Sequence, residues 1–309
     1  MTGVQTCAFR SAAEFVIAWT SGGQDGSGSG VYAQRFQSDI TPPLVSATFG
    51  LVNFTGNTLA DAAGTVPPNT MGDVGAQHIV EFTNGVFAVY SKADGALVGA
   101  KISDTTFWTT KAGLSFSGGL TDPRILYDAA SQRWFATELT KTSTGNLLLL
   151  ARSDTSDPTG TWKGVSFTAS SGFGDFDTLS LDADAVYIGT NNFDHAPPNS
   201  TLQGVSLFSI PKADLLASTP TLARMSKFEG LDPNQSGFTL QAATNYGPST
   251  GHGTIIAMDR DSFQINRTNV LNPNGPGASL SATTGIVIPG YPTWLAAPHQ
   301  INPTGRLSS

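Results

Sequence analysis

Charge is scarce in this 309-residue chain: Asp, Glu, Lys and Arg make up 13% of it, about half the ~25% of an ordinary soluble domain. The balance is acidic, 16 basic against 23 acidic residues, for a net charge of −7. Phosphate neutralisation needs clustered Lys and Arg, and their lack argues against a nucleic-acid partner. One cysteine, Cys7, excludes an intrachain disulfide and a cysteine metal cluster. No apolar run approaches the ~18 residues of a membrane helix. The composition of a coiled coil is missing, and so are a G-x-S-x-G elbow, a phosphate-binding loop and a dinucleotide fingerprint. The four histidines, His78, His195, His252 and His299, lie too far apart for metal spacing and read as isolated surface or turn residues.

Glycine and proline, 34 and 18 residues, make about 17% of the chain, above the ~12% norm but below the ~25–30% of disorder. With 18 Phe and 5 Trp, this describes an ordered, turn-rich protein large enough to bury a core. Its periodicity is that of strands. Phe15–Trp19 and Val31–Phe36 flank the Gly-rich stretch 21–30 and predict a β-hairpin with a long loop. Prolines at 42–43 and 67–68 bracket a stretch from about 38 to 68 that reads as a linker, since proline cannot join a central ladder. Beyond it, His78–Thr83 and Val86–Tyr90 are joined by Asn84-Gly85, a pair suited to the positive φ angles of a type I′ turn.

The strand pattern then recurs. Asp122–Asp128, 132–138, 146–152 and 160–162 form one round; 175–182, 185–190 and 204–210 the next; 237–243 and 253–259 a third; a further round opens at Pro292–Ala296. Starts lie roughly 50 to 60 residues apart, close to the ~40–50 of propeller blades. The lone helix expected is Lys212–Leu216. Short turns without long crossovers force antiparallel pairing. The expected fold is all-β: an incomplete β-propeller of about four to five four-stranded antiparallel blades, with an N-terminal β-hairpin repeat. Segments 146–150 and 185–188, the most uniformly apolar, are expected as central strands near ~5–6 residues long and buried on both faces.

Phe15 to Phe36 resembles the "FVVAWxSxGQDGSGxGVYAQRF" repeat of large bacterial surface and secreted proteins. Residues 65–75, His78–Glu81, Asp122–Asp128, 153–162 and Asp175–Asp177 resemble a family of bacterial extracellular β-propellers with no assigned reaction. The likeness covers about residues 60–309 and implies secretion or surface display. Residues 3–8 resemble a translated sequencing-adapter artefact, so residues 1–10 are expected outside any sheet. The expected organisation is therefore 1–10 artefact or disordered, 11–40 hairpin repeat, 41–68 linker, and 69–309 propeller fragment cut at both ends.

Candidate site residues follow from rarity and clustering. Arginine is scarce, which singles out Arg124 in Asp122-Pro-Arg124; Asp175 and Asp177 head a dense acidic stretch with Asp182 and Asp184. Asp175 and Asp177 on one face of a strand would offer carboxylates for Ca²⁺; the alternative is turn chemistry, with 182–184 a hairpin turn. Asp25 in the Gly-rich loop offers a single carboxylate. For Asp122 and Arg124 the plain alternative is a turn cap paired with its neighbour. Ser156–Trp162 resembles the Asp-box of sialidase-like propellers, whose role is structural. A sialidase-like site needs three arginines for a carboxylate, a Tyr with a Glu, and an acidic Asp; Arg124, Arg133, Arg152, Tyr127, Glu138 and Asp122 supply those types. The five tryptophans read as blade core, and the four Asn-x-Ser/Thr sites, at 53, 199, 234 and 266, as polar loops. The reading is a non-catalytic extracellular interaction or scaffold module with a protein or glycan partner, without a required cofactor. The alternative is a sialidase-like propeller glycosidase, distinguished by a deep axial pocket that gathers carboxylates, an arginine and an aromatic ring; a scattered arrangement favours the module.

Overall fold

The computed structural model describes residues 54–259, 265–275 and 277–286 in full, and the backbone of 7–11, 14–22 and 29–37. It is all-β, with 46% strand and 7% helix. Two compact units divide the chain: residues 1–52 with 290–309, and residues 53–289.

In the first unit, β1 (Cys7–Ser11), β2 (Glu14–Gly22) and β3 (Ser29–Gln37) form one antiparallel sheet in the order β1-β2-β3. Phe15 pairs with Phe36 and Trp19 with Tyr32, the hairpin expected from the sequence. Cys7 pairs with Ala18 and Arg10 with Phe15. For Cys7–Arg10 that strand corrects the expectation that the first ten residues lie outside any sheet, because their backbone continues the antiparallel ladder of β2. The Asp25 loop, the stretch 38–53 and the round opening at Pro292 lie outside the described residues.

The second unit consists of four successive antiparallel sheets. The first holds β4 (Met71–Val74), β5 (His78–Thr83) and β6 (Val86–Ser91). The second holds β7 (Gly119–Asp128), β8 (Arg133–Lys141), β9 (Leu147–Ser153) and β10 (Trp162–Thr168). The third holds β11 (Phe173–Asp175), β12 (Ser180–Leu181), β13 (Ala185–Phe193), β14 (Leu202–Pro211) and β15 (Ser226–Leu231). The fourth holds β16 (Phe238–Ala242), β17 (His252–Met258), β18 (Ile265–Leu271), β19 (Ser279–Leu280) and β20 (Thr284–Ile286).

Alternation along the strands explains how these sheets stack as propeller blades. In β8, Trp134 and Ala136 join a core shared with the first sheet, while Phe135 and Leu139 join a core shared with the third. In β13, Val186 and Ile188 face the second sheet, and Ala185 and Tyr187 face the fourth. One blade cannot bury both of its faces; its two neighbours do so. Strands β9 and β13 are central and buried on both faces, as expected, but run to 7 and 9 residues. Close approach fixes the third sheet against the fourth: a Cβ at Gly189 would lie 2.2 Å from the Leu240 carbonyl oxygen.

Three local expectations are corrected. In the Asn84-Gly85 turn only Gly85 has positive φ (88°), so the turn is not type I′; Asn84 is instead held by its side chain, whose Nδ2 donates to the Pro67 carbonyl at 2.8 Å. A second helical segment exists, α1 (Asp104–Thr106) running into a π-turn at Phe107–Lys111. Ser103 caps it by accepting from the Thr106 N–H at 3.1 Å, and Phe107 and Trp108 are buried in the first core. The expected helix α2 (Lys212–Leu216) is present, and α3 (Pro233–Ser236) adds one turn. Residues 54–65, part of the expected linker, cover the first sheet: the Asn57 N–H donates to Glu81 at 2.6 Å, and Lys101 pairs with Asp61 at 2.7 Å.

Candidate functional site

In or within two residues of each sheet's first strand a non-glycine residue takes positive φ: Asn69 (42°), Asp122 (60°), Phe176 (51°) and Thr239 (57°). Such residues are uncommon, and a β-branched one is an outlier. Backbone strain of this kind persists where the surroundings over-determine it, and here hydrogen bonds do so from one blade to the next. Asn69 Nδ2 donates to Asp122 Oδ1. The Phe176 N–H donates to Asp122 Oδ2 at 3.2 Å, and the Asp122 N–H donates to Asn84 Oδ1 at 2.9 Å. The Thr239 N–H donates to Asn191 Oδ1 at 3.1 Å.

The ladder between β7 and β8 shifts between Thr121 and Arg124. Asp122 and Pro123 together oppose Glu138, a β-bulge, which is also how β7 tolerates a proline. The bulge brings Asp122 beside Glu138. The break between β11 and β12 falls at Phe176-Asp177, where the chain leaves the ladder and turns Asp177 inward.

Four charged side chains thus gather from β7, β8 and the β11–β12 break. Arg124, Glu138 and Asp177 are buried, Glu138 and Asp177 completely. Arg124 Nε donates to the Asp177 carbonyl at 2.6 Å, and its guanidinium lies 4.8 Å from the Phe176 ring centre. Thr137 Oγ1 donates to Asp177 Oδ2 at 2.6 Å; Trp108 Nε1 donates to Glu138 Oε2 at 2.5 Å. Among the described residues, Arg124 Nη2, Glu138 Oε1 and Asp177 Oδ1 have no hydrogen-bond partner, although unpaired buried polar atoms cost free energy. Burial raises the Asp177 pKa to about 7, against the pull of the Arg124 cation. Burial, and then the negative charge of Asp104, holds the Glu138 pKa well above the usual carboxylate range. Asp175, half-buried, is also raised, by burial and then by Asp122.

The four sequence candidates Asp122, Arg124, Asp175 and Asp177 therefore meet at one place. Arg124 binds Asp177 rather than forming the expected pair with Asp122. Sequence reasoning missed the positioning roles of Asn69, Thr137 and Trp108. It gave Glu138 a role only in a sialidase-like set, although a charge on the Trp134–Ala136–Glu138 face of a core strand was the available signal. That set is not assembled. Arg133 binds the carbonyls of Ser131 and Gln132 at 3.1 and 3.0 Å. Arg152 binds Leu215 and Ala217 carbonyls and Asp154. Tyr127 packs on Trp134. The Asp-box-like turn is structural, as expected: Asp157 accepts from the Thr159 N–H at 2.9 Å, and buried Trp162 donates to the Pro158 carbonyl at 3.0 Å.

The remaining acidic candidates take up turn roles. Asp182 Oδ1 accepts from the N–H groups of Asp184 and Ala185 at 2.8 and 2.9 Å, and Oδ2 accepts from the Tyr187 hydroxyl at 2.8 Å. Among the described residues, no three His, Cys, Asp or Glu side chains converge as a metal-holding group. No described helix is long and apolar enough to cross a membrane.

No family model and no curated protein matches the chain. Solved structures that resemble it include the Bacillus subtilis arabinanase Arb43A, at 16% identity and a TM-score of 0.37, covering 69% of this chain and 79% of that one. An exo-β-1,3-galactanase from Phanerochaete chrysosporium has 13% identity and a TM-score of 0.39, covering 73% and 52%. An ACO/RPE65 chimera has 11% identity and a TM-score of 0.42, covering 87% and 60%. At these values no site residue is carried across. The buried carboxylates gather with an arginine beside an aromatic ring, and the expectation of a non-catalytic interaction or scaffold module is corrected.

Proposed function

We propose that the chain is a propeller glycosidase acting on extracellular glycans, with Glu138 and Asp177 as its working carboxylates. One observation carries this: two completely buried carboxyl groups from different blades, both with raised pKa values and each with an unpaired oxygen, beside the Arg124 cation. Perturbed carboxyls gathered in this way mark acid–base sites.

Glu138, whose burial favours the protonated form, is the general acid, donating from Oε1 to the glycosidic oxygen as the bond to the anomeric carbon breaks. Asp177, ionised above about pH 7, accepts the proton of the water that attacks that carbon. Trp108 and Thr137 fix the second oxygen of each carboxyl, and Arg124 stabilises the Asp177 anion. Phe176 is exposed beside the Arg124 guanidinium. The separated arginines argue against a sialidase-like preference.

The test is release of reducing sugar from arabinan, galactan and xylan. Wild type should release it, and Glu138→Gln and Asp177→Asn should each lose at least about a hundredfold in rate, the scale of general acid–base catalysis, while keeping cooperative melting. Folded variants with wild-type rates, or wild-type protein inert on every polysaccharide, would refute the assignment.

A further inference from the structure

A cavity of about 340 Å³ lies between Thr121 and Asp175, at the small end of the ~300–1,000 Å³ range of ligand pockets. Its walls include Thr121, Lys141, Ser143, Phe173, Asp175 and Pro197. Thr121 immediately precedes Asp122, and Asp175 lies two residues before Asp177, so two walls are continuous in the chain with the centre itself. The frame is preformed. Asn146 Nδ2 donates to the Gly174 carbonyl at 2.8 Å, and the Gly174 N–H donates back to Asn146 Oδ1 at 2.7 Å. The Ala196 N–H donates to the Ser143 carbonyl at 3.0 Å, and the Gly145 N–H to the Gly172 carbonyl at 2.6 Å. These bonds tie the β8–β9 turn, β11 and the loop after β13 into one rigid rim, so little ordering is left for a ligand to impose.

The chemistry of the rim is mixed. Lys141 offers an ammonium, Asp175 a carboxylate, and Thr121 and Ser143 hydroxyls; Phe173 and Pro197 supply apolar surface. Among the described residues, neither Lys141 nor Asp175 has an ion-pair partner. Opposite charges cancel within the cavity, so it offers no net cation to a uronate carboxylate, and the Asp175 carboxylate would repel one. Sugar rings present hydroxyls at their edges and C–H groups on their faces, which suits donors, acceptors and apolar surface in one small cavity.

We infer that this cavity is a subsite for an uncharged sugar residue, with Asp175 accepting from and Lys141 donating to its hydroxyls, and that it discriminates against uronate-bearing glycans. The inference rests on the glycosidase reading for its role in turnover, but binding tests it separately. Titration calorimetry would use the full chain with arabinotriose, xylotriose and galactotriose as neutral probes and trigalacturonate as the anionic one. At least one neutral trisaccharide should bind more tightly than trigalacturonate. Asp175→Ala and Lys141→Met should each weaken that binding by about tenfold, the scale of a hydrogen bond to a charged group. Asp175→Asn should narrow the gap between neutral and anionic probes. Tighter binding of trigalacturonate, no binding of any neutral trisaccharide, or unchanged affinity in both folded variants would overturn the inference. Neutral binding without hydrolysis would leave the subsite standing and refute the glycosidase reading instead.

Discussion

Strand β7 carries an acidic residue near each end, about 20 Å apart along the strand, and the two ends behave differently. At the far end Asp128 is fully engaged: it pairs with Lys212 at 3.0 Å and accepts from the Ser131 hydroxyl at 2.6 Å. Nearby in the fold, Asp182 spends both oxygens on a turn and on Tyr187. At the near end, around Asp122, the carboxyls of Glu138 and Asp177 are just as buried but keep an unpaired oxygen each. The satisfied acids hold turns and blades together, and burial is similar at both ends, so hydrogen-bond completeness is what distinguishes the two.

The largest effect that would sharpen this contrast is catalytic. Glu138→Gln and Asp177→Asn should abolish hydrolysis without unfolding the chain, whereas Asp182→Ala should leave the rate per folded molecule unchanged. Next in size is the stability cost of Asp182→Ala, which removes a turn cap and strands the buried Tyr187 hydroxyl. A loss of about 2–3 kcal/mol is expected, or roughly 4–12 °C in Tm at ~2–4 °C per kcal/mol. An unchanged melting curve would break the contrast from the structural side.

A third, smaller effect is the pH dependence of stability. Asp177 is raised to about 7 and Asp73, which accepts from the Tyr127 N–H, to about 6, both mainly by burial. The unfolded chain releases these protons near pH 4 while the folded chain keeps them. Stability should therefore fall as pH rises from about 4 to about 7, then level off. Asp177→Asn should flatten part of that slope. Thermal melts from pH 4 to pH 8 check it; a Tm that rises across this window would contradict the burial-driven shift.

Much of the scaffold was legible in the sequence. Short apolar runs in 78–83, 86–90, 133–138 and 185–190, bounded by turn residues, marked strands. The strands β4, β15 and β18 were harder, since Ser226–Leu231 lies at the outer edge and Ile265–Leu271 alternates with Asn, Arg and Thr. The helical turn at 104–111 was hidden because Phe107 and Trp108 read as strand residues when their Ser103 cap is overlooked. At the site, scarcity of arginine pointed to Arg124, and acid density to Asp175 and Asp177. Glu138 gains its role only from a bulge that sets Asp122 and Pro123 opposite it, and Phe176 only from a backbone angle. Both are tertiary properties that no local pattern encodes.

The central claim is that two raised carboxyls, and not the satisfied acids, run the chemistry. The rate of glycan hydrolysis against pH tests it most directly. Activity should rise through about pH 7 as Asp177 ionises. Arg124→Gln, which removes the cation favouring the Asp177 anion, should move the rising limb upward. A rising limb near pH 4, unmoved by Arg124→Gln, would mean that ordinary, solvated carboxylates carry the reaction and would contradict the account.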